Sequence, residues 1–79
     1  MATTFQEFQN LPVATQYEKV YAEGVTVSQR FLGEDTVKLC QMPGLFFVEV
    51  AYHPVRCALV FVTAFAASDE ARLAPYLTH

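Results

Sequence analysis

The stretch LFFVEVAYHPVRCALVFVTAFA, residues 45 to 66, decides the fold of this chain. It contains two runs rich in Val, Phe and Ala on either side of the turn signal His53-Pro54. β-branched and aromatic residues are typical of strands, and two such runs around a turn signal predict a hairpin. The longest apolar run, Cys57 to Ala67, is interrupted by Thr63. It is far shorter than the roughly 18 to 20 residues that cross a bilayer, so we expect no membrane association.

Two further strands precede this hairpin. From Val25 onward, apolar residues recur at every second position, which is the period of a strand. Turn signals at Gly33-Glu34-Asp35, Met42-Pro43-Gly44 and His53-Pro54 are about ten residues apart, as in a series of hairpins. We therefore predict an antiparallel meander of four strands, at residues 25–32, 36–42, 45–53 and 56–66.

Two helical segments are predicted ahead of the strands. Thr4 and Glu7 have the capping-box spacing, so a short helical turn should form there and stop near Leu11. Pro12 suits the first position of a second helix, which should run to a C-terminal cap at Gly24. The stripe expected to face the sheet comprises Val13, Tyr17, Val20 and Tyr21. The residues expected to face solvent are Gln16, Glu18, Lys19 and Glu23.

A short C-terminal helix completes the predicted layout. It should open at Ala67 or Ser68, with Ser68 as its cap, and Pro75 should lie near its end. The whole is an α+β fold, with N-terminal helices, a four-stranded antiparallel meander and this last helix. Since 79 residues lie within the size of one small domain, we expect residues 1–79 to form a single domain.

The segments LFFVEVAY (residues 45–52) and LAPYL (residues 73–77), preceded by the helix ending at Gly24, resemble a group of small uncharacterised bacterial proteins of similar length. The resemblance spans about half of the chain. It implies a single domain and, because those proteins have no assigned activity, it implies no site residues. Residues 58–66 are more apolar here than in that group, which favours a buried second face of the sheet.

The register of the strands is predicted from two-residue loops. Loops centred on Pro43-Gly44 and on Pro54-Val55 place Lys38 directly opposite Glu49 and give consistent faces for all the hairpins. The face expected to receive the helices carries Val37, Leu39, Phe46, Val48, Val50, Tyr52, Leu59, Phe61 and Phe65.

The opposite face is also apolar on the last two strands, whereas a solvated antiparallel face normally carries polar residues. Beside Lys38, Glu49 and Arg30 it should show Leu45, Phe47, Ala51, Ala58, Val60, Val62 and Ala64. Either the C-terminal helix or a second copy of the chain could cover this face. Because exposed apolar patches mark interaction sites, we expect a homodimer with an interface made by Phe47, Val60, Val62, Ala58 and Leu45.

Charge and composition exclude several classes of protein. The net charge is −3 and only five residues are Lys or Arg, so we expect no binding to nucleic acid, which needs clustered basic residues. Met1 to Asn10 has neither a basic region nor an apolar core, so it is not a secretory signal and we expect a cytoplasmic protein. Cys40 and Cys57 lack CxxC spacing and should stay reduced.

Residue types that support catalysis are not combined in a convincing pattern. A Cys57 thiolate activated by His53 is conceivable in the third turn, but nothing evident orients the imidazole. Glu34 and Asp35 are interpreted as turn residues. We therefore expect no catalytic residues, no metal and no cofactor, and we expect a non-enzymatic interaction or scaffold module. The four tyrosines, Tyr17, Tyr21, Tyr52 and Tyr76, are interpreted as amphipathic residues at the edge of the core.

Glu49 is the most unusual charge, because it lies in a strand that should be largely buried and an unpaired buried carboxylate is costly. Three interpretations stay open. Glu49 pairs with Lys38 across the strands, or it forms a salt bridge with Arg30 across a dimer seam, or it binds a ligand. The last corresponds to an alternative function as a small-ligand binder or enzyme, whose polar groups would be Glu49, Lys38, Arg30 and His53.

Overall fold

The computed structural model describes residues 3–77. Its elements are, in order, α1 (Phe5–Gln9), α2 (Val13–Glu23), β1 (Val25–Leu32), β2 (Asp35–Met42), β3 (Phe46–His53), β4 (Ala58–Ala66) and α3 (Glu70–Leu77). The strands form one antiparallel sheet in the order β1-β2-β3-β4, so the predicted α+β class and meander are confirmed. Within residues 3–77, no helix is long and apolar enough to cross a membrane.

The short helix α1 is held by the predicted capping box. The Thr4 hydroxyl accepts a hydrogen bond from the Glu7 amide at 3.1 Å, and the Glu7 carboxylate accepts one from the Thr4 amide at 3.0 Å. These two bonds lower the pKa of the Glu7 carboxyl. A helix of five residues could not persist alone, so its position depends on Phe8, which is fully buried beneath it.

Helix α2 is rotated relative to the sequence prediction. Val20 faces the sheet as expected, but Val13, Tyr17 and Tyr21 are exposed. Gln16, predicted to face solvent, is buried, and its side-chain amide donates to the Phe8 carbonyl at 2.9 Å. Because α1 ends abruptly, its carbonyls need partners from elsewhere, and Gln16 supplies one. This bond favours the rotation that leaves the two tyrosines outside the core.

Gly24 caps α2 as predicted, but through close packing and not through a left-handed turn. Its φ and ψ are −80° and 154°, and its amide donates to the Val20 carbonyl at 2.8 Å. A Cβ atom at Gly24 would lie 2.8 Å from that carbonyl oxygen and 3.1 Å from the Met42 sulfur. The chain therefore needs glycine where α2 passes into β1.

The strand register differs from the predicted one by one residue between β2 and β3, and by three residues over most of the β3–β4 pair, where Val50 lies opposite Val62. Lys38 lies opposite Val50, and Glu49 lies opposite Leu39, so the predicted Lys38–Glu49 pair is wrong. Directly opposed residues project to the same face, so a shift of one residue exchanges the faces of β2 relative to β3. The face predicted to carry all the core residues is therefore divided between the two sides of the sheet.

The loops explain this shift. Pro43 cannot adopt the positive φ required at the first position of a primed two-residue turn, so the loop has three residues, 43–45, and ends with Leu45 at φ 63°. The next loop has four residues, 54–57, and ends with Cys57 at φ 52°. In both loops the last residue has a left-handed conformation but is not glycine. Because glycine is the usual sign of such a position, the lengths of these loops could not be predicted from the sequence.

The main core lies between the sheet and the two N-terminal helices. The Phe46 ring lies 5.4 Å from the Phe8 ring and 5.5 Å from the Phe5 ring, measured between centroids. The buried members of this core are Phe8, Val20, Cys40, Met42, Phe46, Val48 and Val50. Val62 and Ala64 of β4 pack against it.

Helix α3 covers the opposite face of the sheet. Its Tyr76 and Leu73 pack with Leu39, Phe65 and Phe47 in a second, smaller core. Of the apolar residues that the sequence placed on an open face, α3 therefore covers Phe47, together with Leu39 and Phe65, which were expected on the other face. The side chain of Asp69 accepts a hydrogen bond from the Arg72 amide at 3.3 Å, the capping role that the sequence had assigned to Ser68.

The five residues predicted to form a dimer interface do not share one surface. Phe47 packs in the core under α3, and Val62 packs against the core under α1 and α2. Val60 and Ala58 are exposed at the start of β4, and Leu45 is exposed in the loop before β3. An interface of these five residues would require both cores to open.

Truncation of Phe8 tests the main core. Phe8→Ala should lower the free energy of unfolding by about 3 to 5 kcal/mol, because it removes a fully buried ring that also positions α1. The control is Val55→Ala, since Val55 is 85% exposed in the loop before β4 and its truncation should change stability by less than about 0.5 kcal/mol. Urea denaturation measures both values, and equal effects would contradict the described core.

Candidate functional site

A buried carboxylate lies between the sheet and α3. Glu49 on β3 is only 3% exposed. Its Oε2 accepts a hydrogen bond from the Tyr76 hydroxyl at 2.6 Å and one from Arg30 Nη2 at 3.2 Å, while Oε1 accepts one from Arg72 Nη1 at 3.3 Å. We call these four residues the Glu49 cluster.

Three elements bring the Glu49 cluster together. Arg30 comes from the edge strand β1, two strands away from Glu49, and its side chain crosses β2 on the α3 side of the sheet. Arg72 and Tyr76 are four residues apart on α3, so they project from the same side of that helix. The Arg30 guanidinium also lies 5.4 Å from the centre of the Tyr76 ring, which adds a cation–π contact.

The electrostatics of the cluster favour a closed structural site. Burial, and then the hydrogen bond to Glu49, raise the pKa of Tyr76 to about 12, so the phenol is a hydrogen-bond donor at neutral pH. Both oxygens of Glu49 are occupied by donors from this chain. A carboxylate that accepts three hydrogen bonds from its own chain, two of them from α3, is suited to hold α3 on the sheet.

The structure therefore corrects the sequence interpretation of Glu49. Its partner is not Lys38, and the pair with Arg30 is formed within one chain and not across a dimer seam. Arg72 and Tyr76 were missed as partners, although a buried Glu requires donors and their spacing of four residues on a helix offers two. Among residues 3–77, the Nε atom of Arg30 is the one buried side-chain nitrogen or oxygen without a partner.

A second candidate region is an open cleft between α2 and the sheet. It has a volume of about 320 Å³, and among residues 3–77 Lys38 is the only charged residue in its wall. The Lys38 ammonium lies 5.5 Å from the centre of the Tyr52 ring. We call this region the tyrosine cleft, and its wall is formed by Tyr17, Val20, Tyr21, Gly24, Thr26, Lys38, Cys40, Val50 and Tyr52. Of the four tyrosines, only Tyr76 belongs to a core.

The turn around His53 does not form a catalytic pair. His53 Nδ1 accepts a hydrogen bond from the Arg56 amide at 3.1 Å, so the proton is on Nε2, which lies 3.3 Å from the Glu34 carboxylate. The Cys57 thiol donates to the Pro54 carbonyl at 3.6 Å, not to the imidazole. Cys40 and Cys57 are both free thiols. In the described part of the chain, no group of three or more His, Cys, Asp or Glu residues could hold a metal ion.

Four residues were predicted as polar groups of one site, and the structure separates them. Glu49 and Arg30 meet under α3, Lys38 lies in the tyrosine cleft on the other face, and His53 is the last residue of β3. Comparison of the chain with protein-family models, curated proteins and solved structures finds no match.

The anchoring role of Glu49 is testable by a double-mutant cycle. Glu49→Gln and Tyr76→Phe should each lower the free energy of unfolding by about 1 to 3 kcal/mol, because each leaves buried polar partners unsatisfied. The double variant should lose less than the sum of the two, since both changes remove the same hydrogen bond. Glu23→Gln is the matched control, because its pair with Lys19 at 3.5 Å lies on the surface. A Glu49→Gln variant as stable as this control would contradict the anchoring role.

The raised pKa of Tyr76 predicts a loss of stability at high pH. Below pH 10 the phenol is protonated in both the folded and the unfolded chain. Between about pH 10 and about pH 12, the unfolded chain releases this proton while the folded chain keeps it, so rising pH favours unfolding. Denaturation curves across this range should show that the stability advantage of the wild type over Tyr76→Phe shrinks. A constant difference would mean that Tyr76 does not retain its proton.

Proposed function

We propose that this chain is a small non-catalytic interaction module that pairs with a second copy of itself through the edge strand β1. The observation that carries the proposal is the exposure of apolar residues along that strand. Four large apolar residues of β1 are exposed, and they are Val25, Val27, Phe31 and Leu32. Apolar patches on an accessible strand edge are typical of interaction sites.

The edge of β1 lacks the usual protection against pairing. Within residues 3–77, β1 hydrogen-bonds to β2 on one side and has no strand on the other. It contains no Lys, Asp, Glu or Pro, the residues that commonly block edge pairing. Its single charge, Arg30, is directed to Glu49. A bulge between Thr26 and Ser28 interrupts the first half of the strand and leaves residues 28–32 regular.

Two-fold symmetric pairing of β1 would join two four-stranded sheets into one. If the axis passes near Phe31, in the regular part of the strand, antiparallel pairing brings the Phe31 side chains of the two copies opposite each other. Free backbone N–H and C=O groups of both edges would then bond to one another, and the exposed apolar side chains would cover each other. Leu77 lines a cavity beside Val27 and would lie near this seam.

The expected affinity is moderate. Covering a half-exposed Val, Leu or Phe contributes on the order of 1 kcal/mol. Association of two chains costs an estimated 4 kcal/mol or more, so a handful of such side chains with the new backbone bonds supports a dissociation constant of roughly micromolar size. An unidentified protein that offers a strand could use the same edge.

The other surfaces support the proposal less well. The opposite edge, β4, has no charged residue, but from Phe61 to Ala66 its side chains are half-buried or buried within the chain. Val60, 49% exposed, marks the more accessible part of β4 and is the basis of the dimer expected from sequence. A ligand-binding or enzymatic role at Glu49 has less support, because that carboxylate is buried and already accepts three hydrogen bonds from its own chain.

A pair of lysine substitutions tests which edge is used. The wild type should sediment at twice its 8.9 kDa mass at high micromolar concentration, and Phe31→Lys should shift it to the monomer, because paired edges would bring two like charges together. Circular dichroism should show that Phe31→Lys stays folded, since Phe31 is exposed. Val60→Lys, on the opposite edge, is the matched control and should stay dimeric.

The outcomes separate the alternatives. A wild type that is monomeric at this concentration contradicts self-association altogether. A Val60→Lys variant that dissociates, while Phe31→Lys does not, contradicts pairing through β1 and returns the interface to β4.

A further inference from the structure

We propose that the tyrosine cleft is a binding site for a small aromatic carboxylate. The cleft opens because α2 is rotated to bury Gln16 and Val20, which leaves Tyr17 and Tyr21 at its rim and not in the core. Its volume of about 320 Å³ lies at the lower end of the range that holds small organic ligands. The site does not involve β1 pairing and does not rest on it.

The charge in the cleft selects an anion. Lys38 is half-buried, and within residues 3–77 its ammonium has no ion pair and no hydrogen bond, only the contact with the Tyr52 ring. None of the residues in the described wall is acidic, although the chain as a whole carries a net charge of −3. A cation held at an apolar wall without a counter-charge is complementary to a ligand that brings one negative charge.

The rest of the wall selects a flat apolar body. The tyrosine rings at positions 17, 21 and 52 form its sides, and Val20 and Val50 form apolar surface between them. Aromatic rings pack well on such surfaces in offset-stacked or edge-to-face arrangements. A second cavity of about 330 Å³, lined by Leu59 among others, shares Tyr17 and Tyr52 with the cleft, so a body of two fused rings has apolar surface on both sides of these rings.

A carboxylate fits better than a phosphate. The cleft offers one lysine, which acts as a point charge, and no arginine that could bind a phosphate in a bidentate manner. The phenol groups of Tyr17, Tyr21 and Tyr52 make no hydrogen bond within the described residues and could donate to the second carboxylate oxygen. The expected ligand is therefore a ring system with a single carboxylate.

The test uses 2-naphthoate as the probe and 2-naphthamide as its neutral isostere. Calorimetric titration of the full chain should show saturable binding of one naphthoate per chain, with the amide binding about fivefold more weakly, since one partly exposed charge pair contributes up to about 1 kcal/mol. Lys38→Met should reduce naphthoate affinity to that of the amide, and Lys38→Arg should retain the preference for naphthoate.

Two controls locate the effect. Lys19→Met removes a lysine of α2 that pairs with Glu23 outside the cleft, so it should leave both affinities unchanged. Tyr17→Leu should weaken both probes by a similar factor, because it removes a ring and not the charge. Thermal melts confirm that each variant is folded. The Phe31→Lys variant should bind naphthoate as the wild type does, whether or not the chain pairs through β1.

Each contrary result overturns the proposal. Absence of naphthoate binding at millimolar concentration means that the Lys38–Tyr52 contact is a surface feature only. Equal affinity for naphthoate and naphthamide means that the charge does not select the ligand. Unchanged preference in Lys38→Met means that the probe binds elsewhere.

Discussion

The arrangement of this small protein depends on one buried charge. Glu49 lies in the middle of the sheet and is almost fully covered, so its carboxylate must find donors within the chain or destabilise it. Arg30 supplies one from the edge strand, and Arg72 and Tyr76 supply two from α3. The need to satisfy Glu49 therefore ties the C-terminal helix to the sheet at a defined place, whereas apolar contacts alone would tolerate several positions.

This constraint divides the core in two. On the side of α1 and α2 the contacts are apolar and include the ring packing of Phe8 on Phe46. On the side of α3 a small apolar group that includes Leu39 and Phe65 adjoins the Glu49 cluster. A sheet of four strands with one helix pair on one face and a helix of eight residues on the other has little helical surface to spare. Some apolar residues must therefore stay outside both cores.

The places where they stay outside are the surfaces on which the proposals rest. Helix α2 uses Gln16 and Val20 to face the core, so Tyr17 and Tyr21 are left at the margin of an open cleft with Lys38 in its wall. Neither α2 nor α3 covers the outer edge of β1, so Phe31 and its apolar neighbours remain exposed. Both surfaces arise from the same shortage of covering helix, but one is concave with a charge and the other is an open strand edge. They are suited to different partners, a small anion and a second strand.

The sequence by itself determined the elements, since hydrophobic period, capping residues and turn signals are local properties that each segment carries alone. The helices before the sheet, the capping box at Thr4, the cap at Gly24 and the four-strand meander all followed from it. Only the tertiary structure decided the pairing of the strands. The three-residue loop at 43–45 requires Leu45 to adopt a left-handed conformation, which leucine does not favour, so the sequence did not indicate the length of this loop. The extra loop residue shifts β2 by one position relative to β3, so Lys38 and Glu49 project to opposite faces of the sheet and cannot form the predicted pair. The donors that replaced it lie on α3, at a distance along the chain that no local pattern spans, and a buried charge selects them only when the folded chain brings them within hydrogen-bonding reach.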